Sequence, residues 1–164
     1  SPYYRALNGD WRENDESKVT VIQVEDRNVT LNSVRNDIKS QVIERGTASN
    51  IDTGWNIQIS RKGLEDTVHY ANKHNDTATL NSIYNINTIV NNAILLDSVV
   101  SENNNDNKAN NTAFMHKMYS VCKFNNEPYL AKLAVEEFAV QSDTLKRLYN
   151  VTSFDEFFAN LELD

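Results

Sequence analysis

Two histidines lie in short motifs whose residue types could carry acid–base chemistry, Thr67-Val68-His69-Tyr70 and Met115-His116-Lys117-Met118-Tyr119. The chain has three histidines and one cysteine, so few other side chains could transfer a proton near neutral pH. Histidine is the side chain whose unperturbed pKa brings its charge change into the physiological range. Proton transfer without a metal would therefore centre on His69 and His116.

His69 belongs to a polar stripe on a predicted helix over residues 61–73. Every fourth residue of that stripe is charged or titratable, in the order Arg61, Glu65, His69 and Lys73. Glu65 would favour the protonated form of His69, and Lys73 would oppose it, so the stripe could hold an acid or a base. The alternative is a solvated helix face whose i,i+4 pairs stabilise the helix by about 0.2–0.5 kcal/mol each.

Strand parity separates His116 from its cationic neighbours. A predicted hairpin with its turn at Asn125-Asn126 places His116 on the core-facing side, because side chains alternate along a strand. His116 would reach the cleft used by Lys117 only at a strand end or through a β-bulge. The alternative for His116 is a hydrogen-bonded histidine at the edge of the core.

Three side chains fall on the opposite side of the same hairpin, namely Lys117, Tyr119 and Lys132. We predict that they form an exposed cationic and aromatic patch, with Lys132 close to Tyr119 across the ladder. Such a patch could bind phosphate beside a phenol. Solvated surface charge is the alternative.

Composition excludes several classes of protein. A net charge of −7 argues against a protein that coats nucleic acid non-specifically, although a local basic cleft on an acidic body remains open. Cys122 is the only cysteine and lies in an apolar run, so we predict a buried, inert thiol and no internal disulfide. No Cys/His spacing matches a metal site, and no apolar run approaches the roughly 18 residues of a membrane span.

No cofactor is expected. Ser1-Pro2 suggests a module of a longer protein.

Hydrophobic periodicity predicts a mixed order of elements. The predicted strands cover residues 19–24, 55–59, 97–102, 113–124, 129–140 and 145–151. The predicted helices cover residues 30–43, 61–73 and 83–96, with a last helix capped by Ser153 and Glu156. Residues 44–54 and 103–111 are predicted to be loops. This order predicts one α+β domain over residues 1–164, with a central antiparallel β-sheet and helices packed mainly on one face.

Several segments together resemble a known family. They are Ser1-Pro2-Tyr3-Tyr4-Arg5-Ala6, Gly9-Asp10-Trp11-Arg12, Asp52-Thr53-Gly54-Trp55, Ile59-Ser60-Arg61-Lys62-Gly63, Thr67-Val68-His69 and Ala113-Phe114-Met115-His116-Lys117-Met118-Tyr119. The resemblance is to the third type of large polyvalent protein-associated domain, found in long proteins of bacterial mobile elements and prophages and in polymorphic toxins. The usual family pattern has a second histidine after the helix histidine, where this chain has Tyr70. This difference raises the importance of His116.

The resemblance implies a fold of the barnase, EndoU, colicin-tRNase and RelE type and a metal-independent ribonuclease activity. It also implies a toxin module that acts in the bacterial cytoplasm, delivered by a phage or a secretion system, with a cognate immunity protein. In this hypothesis a ribose 2′-hydroxyl attacks the adjacent phosphate of tRNA or rRNA, aided by a base and an acid. The catalytic residues would be His69, His116, Lys117 and Tyr119. The substrate-binding residues would be Arg61, Lys62, Lys73 and Lys132.

Two other functions are consistent with the same residues. The first is a non-catalytic module that docks a partner of a phage or mobile-element protein; it predicts no RNA cleavage and no growth arrest. The second is a transferase that uses a nucleotide cofactor, which would show a thermal shift with NAD or a nucleoside triphosphate. The chain has no phosphate-cradling loop motif, so we rank the transferase last.

Overall fold

The computed structural model describes residues 20–100, 112–140 and 143–153 of the chain. The helices are α1 (Leu31–Lys39), α2 (Arg61–Lys73), α3 (Thr77–Ser82) and α4 (Ile86–Asn92), with a 3-10 turn at Ile83–Asn85. The strands are β1 (Val21–Val24), β2 (Gly46–Ser49), β3 (Asn56–Ile59), β4 (Ile94–Val100), β5 (Thr112–Phe124), β6 (Glu127–Val140) and β7 (Asp143–Thr152). The amino-terminal segment, the polar loop at 103–111 and the predicted last helix lie outside the described residues.

The sheet is built on the β5–β6–β7 meander and is mixed. Its strand order is β1-β5-β6-β7-β3-β2, with β4 pairing beside β1 along β5. Most neighbours are antiparallel, but β1 pairs with β5 in parallel and β3 pairs with β7 in parallel. The predicted α+β class is therefore confirmed, and the sheet predicted as antiparallel is a curled mixed sheet in which the β1–β5 and β3–β7 pairs are parallel.

The predicted hairpin between β5 and β6 is confirmed together with its register. Asn125 and Asn126 both have positive φ, 49° and 65°, as a two-residue hairpin turn requires. His116 stands opposite Val135, and Tyr119 stands opposite Lys132. We call the face of the sheet that carries His116 the inner face, and the face that carries Tyr119 the outer face.

Helices α2 and α4 pack on the inner face. Helix α2 covers β7, with Leu64 and Val68 buried, and α4 reaches β5 through a hydrogen bond from the Ser120 hydroxyl to the Ile89 carbonyl, 2.7 Å long. Ser60 caps α2, since its hydroxyl accepts from the Gly63 amide at 3.2 Å. No helix in the described part of the chain has the length and apolar composition that crossing a membrane requires.

Two predicted helices are shorter than their periodicity suggests. Helix α1 ends at Lys39 rather than near residue 43, because Gln41 adopts a positive φ of 62° that breaks the helix. The helix predicted over residues 83–96 ends at Asn92, and β4 begins at Ile94. The Asn50 amide donates to the carbonyls of Val90 and Ala93, both at 2.8 Å, and so satisfies backbone groups that end α4.

The region predicted as a loop over residues 44–54 contains β2, and residues 77–82 form a helix that the sequence pattern did not indicate. Strand β2 is four residues long and pairs with β3 as a hairpin. Helix α3 is six residues long and is capped by Asp76, whose carboxylate accepts from the Thr79 amide at 3.0 Å. Both elements are too short for their hydrophobic period to be read from the sequence.

Thr67 fixes α2 to β7 through its hydroxyl. The hydroxyl donates to the Gly63 carbonyl at 2.8 Å and accepts from the Val151 amide at 2.9 Å, and the residue is fully buried. We expect Thr67→Val to lower the free energy of unfolding by about 1–3 kcal/mol, because it leaves the Val151 amide buried without a partner. Urea unfolding measures the change. Thr88→Val, at an exposed helical position, is the matched control, and equal stability of the two variants would contradict this role for Thr67.

Candidate functional site

A polar cluster lies on the inner face around His116, whose residue surface is only 5% exposed. One ring nitrogen, Nε2, lies 2.9 Å from the Glu137 carboxylate oxygen Oε1. The other, Nδ1, lies 2.7 Å from the Ser98 hydroxyl. Both nitrogens of a nearly buried imidazole are therefore hydrogen-bonded, and its orientation is fixed.

The strand register explains how these side chains meet. Ser98 on β4 stands directly opposite His116 on β5. Glu137 lies two residues beyond Val135, the cross-strand partner of His116, and therefore on the same face. Diagonal neighbours of this kind are within reach of long side chains.

A second charged side chain reaches the same carboxylate. Lys146, the cross-strand partner of Glu137 on β7, places Nζ 3.5 Å from Glu137 Oε1. The side chains of Lys146 and Glu137 are 18% and 15% exposed, so this pair is shielded from solvent more than a surface ion pair is. The cluster thus joins an imidazole, a carboxylate and an ammonium group.

Aromatic rings enclose His116. The Trp55 ring lies 4.5 Å from the imidazole, centroid to centroid, and the Phe114 ring stacks at 5.9 Å. Lys146 Nζ also lies 4.9 Å from the centre of the Trp55 ring, in a cation–π contact. Trp55 is half-buried and packs at the border of the core.

The curl of the sheet brings Trp55 to His116. Trp55 directly precedes β3, which is separated from β5 by β7 and β6. In a flat sheet the two strands would be about 14 Å apart at the usual spacing of neighbouring strands. The loop before β3 is held across this gap, since Asp52 accepts a hydrogen bond from the Leu95 amide of β4 at 3.0 Å.

An open groove meets the cluster at Trp55 and Lys146. Its volume is about 480 Å³, within the range of small-molecule sites. The remaining lining residues are mostly polar and come from β2, β3, β7 and the loop before β3: Thr47, Gly54, Asn56, Gln58, Asp143, Thr144 and Leu145. A flexible, polar ligand could therefore lie beside the cluster.

The outer face differs from its prediction. Tyr119 is 4% exposed, so it is not part of an exposed patch. Burial, and secondarily the charge of Asp52, raises the pKa of Tyr119. Lys117 and Lys132 are half-buried; burial, followed by repulsion from Lys117, lowers the pKa of Lys132. The register between β5 and β6 is regular from Phe114 to Phe124, so the outer-face residues and His116 lie on opposite faces.

The predicted residues of α2 lie on its exposed side. Arg61 and Lys62 pair with Glu65 and Asp66 four residues later, at 2.9 and 3.2 Å. Among the described contacts of His116 there is none with His69, which is exposed on α2. The structure therefore does not join the two histidines directly.

Three members of the cluster were missed by sequence reasoning. Glu137 and Lys146 share the core-facing parity of their strands, and a charged residue on a core face is a signal that could have identified them. Ser98 was placed in a strand, but without a pairing partner, so its contact with His116 could not be inferred.

Buried Cys122 is confirmed as a core residue. It is fully buried on β5, and burial raises the pKa of its thiol to about 12. In the described part of the chain, no group of three or more His, Cys, Asp or Glu side chains is arranged to hold a metal ion.

Comparison with known proteins gives one match. The family model of large polyvalent protein-associated domain 3 matches residues 30–149, which include every residue of the His116 cluster. Neither the search of curated proteins nor the search of solved structures finds a match. Since the family model covers well over half of the chain, the protein belongs to the large polyvalent protein-associated domain 3 family.

Proposed function

We propose that this domain is a metal-independent endoribonuclease of a toxin, with a fold of the barnase and RelE type. The observation that carries the proposal is the His116 imidazole, fixed by Glu137 beside Lys146 and a polar groove. General acid–base catalysis requires a positioned side chain of this type. The substrate would be tRNA or rRNA in the bacterial cytoplasm, reached through a phage or a secretion system, and a cognate immunity protein would restrain the toxin.

The hydrogen bonds define which nitrogen of His116 would act as the base. A carboxylate accepts hydrogen bonds, so in the reactive form that we propose His116 carries its proton on Nε2 and donates it to Glu137. The lone pair of Nδ1 then faces the Ser98 hydroxyl, 2.7 Å away. In the proposed reaction the Ser98 side chain rotates away from Nδ1, and the ribose 2′-hydroxyl takes its place and gives its proton to Nδ1.

Lys146 supplies positive charge where the reaction needs it. As the 2′-oxygen attacks phosphorus, negative charge grows on the phosphoryl oxygens, and a fixed cation stabilises it. Lys146 lines the groove and contacts the carboxylate that orients His116. The ring of Trp55, which also lines the groove, offers a surface against which a base could stack.

The proposal also assigns roles to the residues of α2 and of the outer face that the family resemblance implies. His69, exposed on α2, is the second proton-transfer residue, acting on the leaving 5′-oxygen. The exposed cations of α2, Arg61, Lys62 and Lys73, bind the flanking phosphates. Lys117 and Lys132, which are half-buried, form a separate anion site on the outer face above the buried Tyr119, and double substitution of the two lysines tests whether the outer face contributes.

The proposal is tested by expressing the domain under tight control and separating total RNA on a gel. We expect discrete tRNA or rRNA fragments and growth arrest with the wild-type chain, and intact RNA with the His69→Ala/His116→Ala double variant. Intact RNA and normal growth with a folded wild-type chain would contradict the proposal and favour a partner-docking module. Fragments of equal intensity from both chains would place the catalytic site elsewhere.

A further inference from the structure

A continuous chain of hydrogen bonds runs from the hydroxyl of Ser98, an exposed residue, to a shielded carboxylate. Ser98 Oγ lies 2.7 Å from His116 Nδ1, and His116 Nε2 lies 2.9 Å from Glu137 Oε1. We propose that Ser98 is a nucleophile activated by His116 and oriented through Glu137, and that it accepts the acyl group of an ester. This inference does not rest on the proposed ribonuclease activity.

The direction of the two hydrogen bonds suits a nucleophile. In the reactive form that we propose, Nε2–H donates to Glu137, and Nδ1 therefore accepts from the Ser98 hydroxyl. The hydroxyl proton therefore already points at the group that would remove it. A nucleophile, a base and a group that orients the base, each within hydrogen-bond reach of the next, are the signature of an activated serine.

Solvent exposure decreases from Ser98, the proposed nucleophile, to His116 and Glu137, which activate and orient it. The proposal places the ester against Ser98, an exposed residue of β4. His116 is 5% exposed and contacts the rings of Trp55 and Phe114, and this packing limits its rotation. Glu137 is also fixed by Lys146 at 3.5 Å, and acts as a positioning residue that would not touch the ester.

The reaction balances without any group besides the ester and water. The Ser98 Oγ–H proton moves to His116 Nδ1 as Oγ bonds to the carbonyl carbon. The bond from that carbon to the leaving-group oxygen then breaks, and His116 gives its proton to that oxygen. Water hydrolyses the acyl-serine in the same way: its proton passes to His116 and then to Ser98 Oγ, which restores the site.

Labelling with a fluorophosphonate tests whether Ser98 is activated. We expect the wild-type chain to be modified at Ser98, as located by peptide mass spectrometry, and the label to be lost in Ser98→Ala. His116→Gln and Glu137→Gln should label at least ten times more slowly. Ser49→Ala is the matched control, because Ser49 is an exposed strand serine whose hydroxyl bonds to an amide, at 3.2 Å from Asn56 Oδ1. Absence of label on Ser98, or labelling that His116→Gln leaves unchanged, would overturn the proposal.

A cysteine at the same position gives a second test that keeps His116 intact. A thiol beside an imidazole base forms a reactive thiolate, so Ser98→Cys should react with iodoacetamide at least ten times faster than Ser49→Cys at neutral pH. Native Cys122 provides an internal unreactive thiol, because burial raises its pKa to about 12. Equal rates for the two introduced thiols would overturn the proposal.

The experiments distinguish failure of the ribonuclease proposal from failure of the activated-serine proposal. Labelling of Ser98 without RNA cleavage would contradict only the ribonuclease, and RNA cleavage without labelling would contradict only the activated serine. Both measurements use the full 164-residue chain.

Discussion

Replacing His116 with alanine is expected to lower the rate of RNA cleavage by roughly 10²–10⁴-fold, the usual contribution of a positioned general acid or base. The reason is geometric: Glu137 and Ser98 fix both ring nitrogens, and the substitution removes the base that they orient. Cleavage of a short RNA under single-turnover conditions measures the effect. His74→Ala is the control, because His74 caps the end of α2 and stacks on Tyr70, outside the cluster.

The folded state of the variant has to be checked, since His116 is almost fully buried. A circular dichroism spectrum and a cooperative urea transition like those of the wild-type chain establish that the variant is folded. Comparison with His69→Ala then separates the two histidines. A folded His116→Ala variant that cleaves RNA at the wild-type rate would exclude His116 as the base.

Replacing Gly63 with alanine is expected to destabilise the fold by about 1–3 kcal/mol, the usual cost of overpacking. A Cβ at this position would lie 2.3 Å from the Leu148 carbonyl oxygen and 3.3 Å from its carbon, and these are backbone atoms of β7. Helix α2 or strand β7 would therefore have to move. Urea unfolding measures the loss of stability.

The direction of the change in unfolding free energy in Gly63→Ala distinguishes close packing from helix propensity. Inside a helix, alanine is normally more favourable than glycine by about 1 kcal/mol, so helix propensity alone would stabilise the variant. Asn72→Ala, on the exposed side of α2, is the matched control and should be neutral or slightly stabilising. A Gly63→Ala variant as stable as the wild-type chain would contradict the close packing of α2 on β7.

Several segments that carry the family resemblance build the fold around the site. Asp52 binds the start of β4, Gly54 adopts a φ of 75°, and Gly63 and Thr67 hold α2 against β7. The loop formed by Asp52, Thr53 and Gly54 ends at Trp55, which covers His116. These residues position the cluster, and the chemistry that we propose belongs to a smaller set of side chains.

The β5–β6 hairpin is the part of the site that local sequence pattern predicts. Alternating side chains and the Asn125-Asn126 turn fix which residues of β5 face the core, so His116 and Lys117 could be placed on opposite faces in advance. The same alternation along β6 places Glu137 on the inner face, and the observed pairing with Glu137 places Lys146 of β7 there as well. Register within a hairpin depends on neighbours in sequence, and for this reason the sequence is sufficient to predict it.

The rest of the site depends on contacts between distant parts of the chain. Asn50 ends α4 through hydrogen bonds to Val90 and Ala93, which are 40 and 43 residues away in sequence. The start of β4 and the position of Ser98 therefore do not follow from periodicity. The contact of Trp55 with His116 requires the curl of the whole sheet. The burial of Tyr119 likewise reflects packing on the outer face and not the polarity of its neighbours.

Analysis of the ends of the RNA fragments tests the central claim most directly. Attack by the 2′-hydroxyl, with His116 as the base, leaves a 2′,3′-cyclic phosphate on one fragment and a 5′-hydroxyl on the other. We expect these ends from the purified domain in the presence of a chelator, and no cleavage when the attacking ribose is replaced by 2′-deoxyribose. Fragments with 5′-phosphate ends, or cleavage of the 2′-deoxy substrate, would contradict the mechanism proposed here.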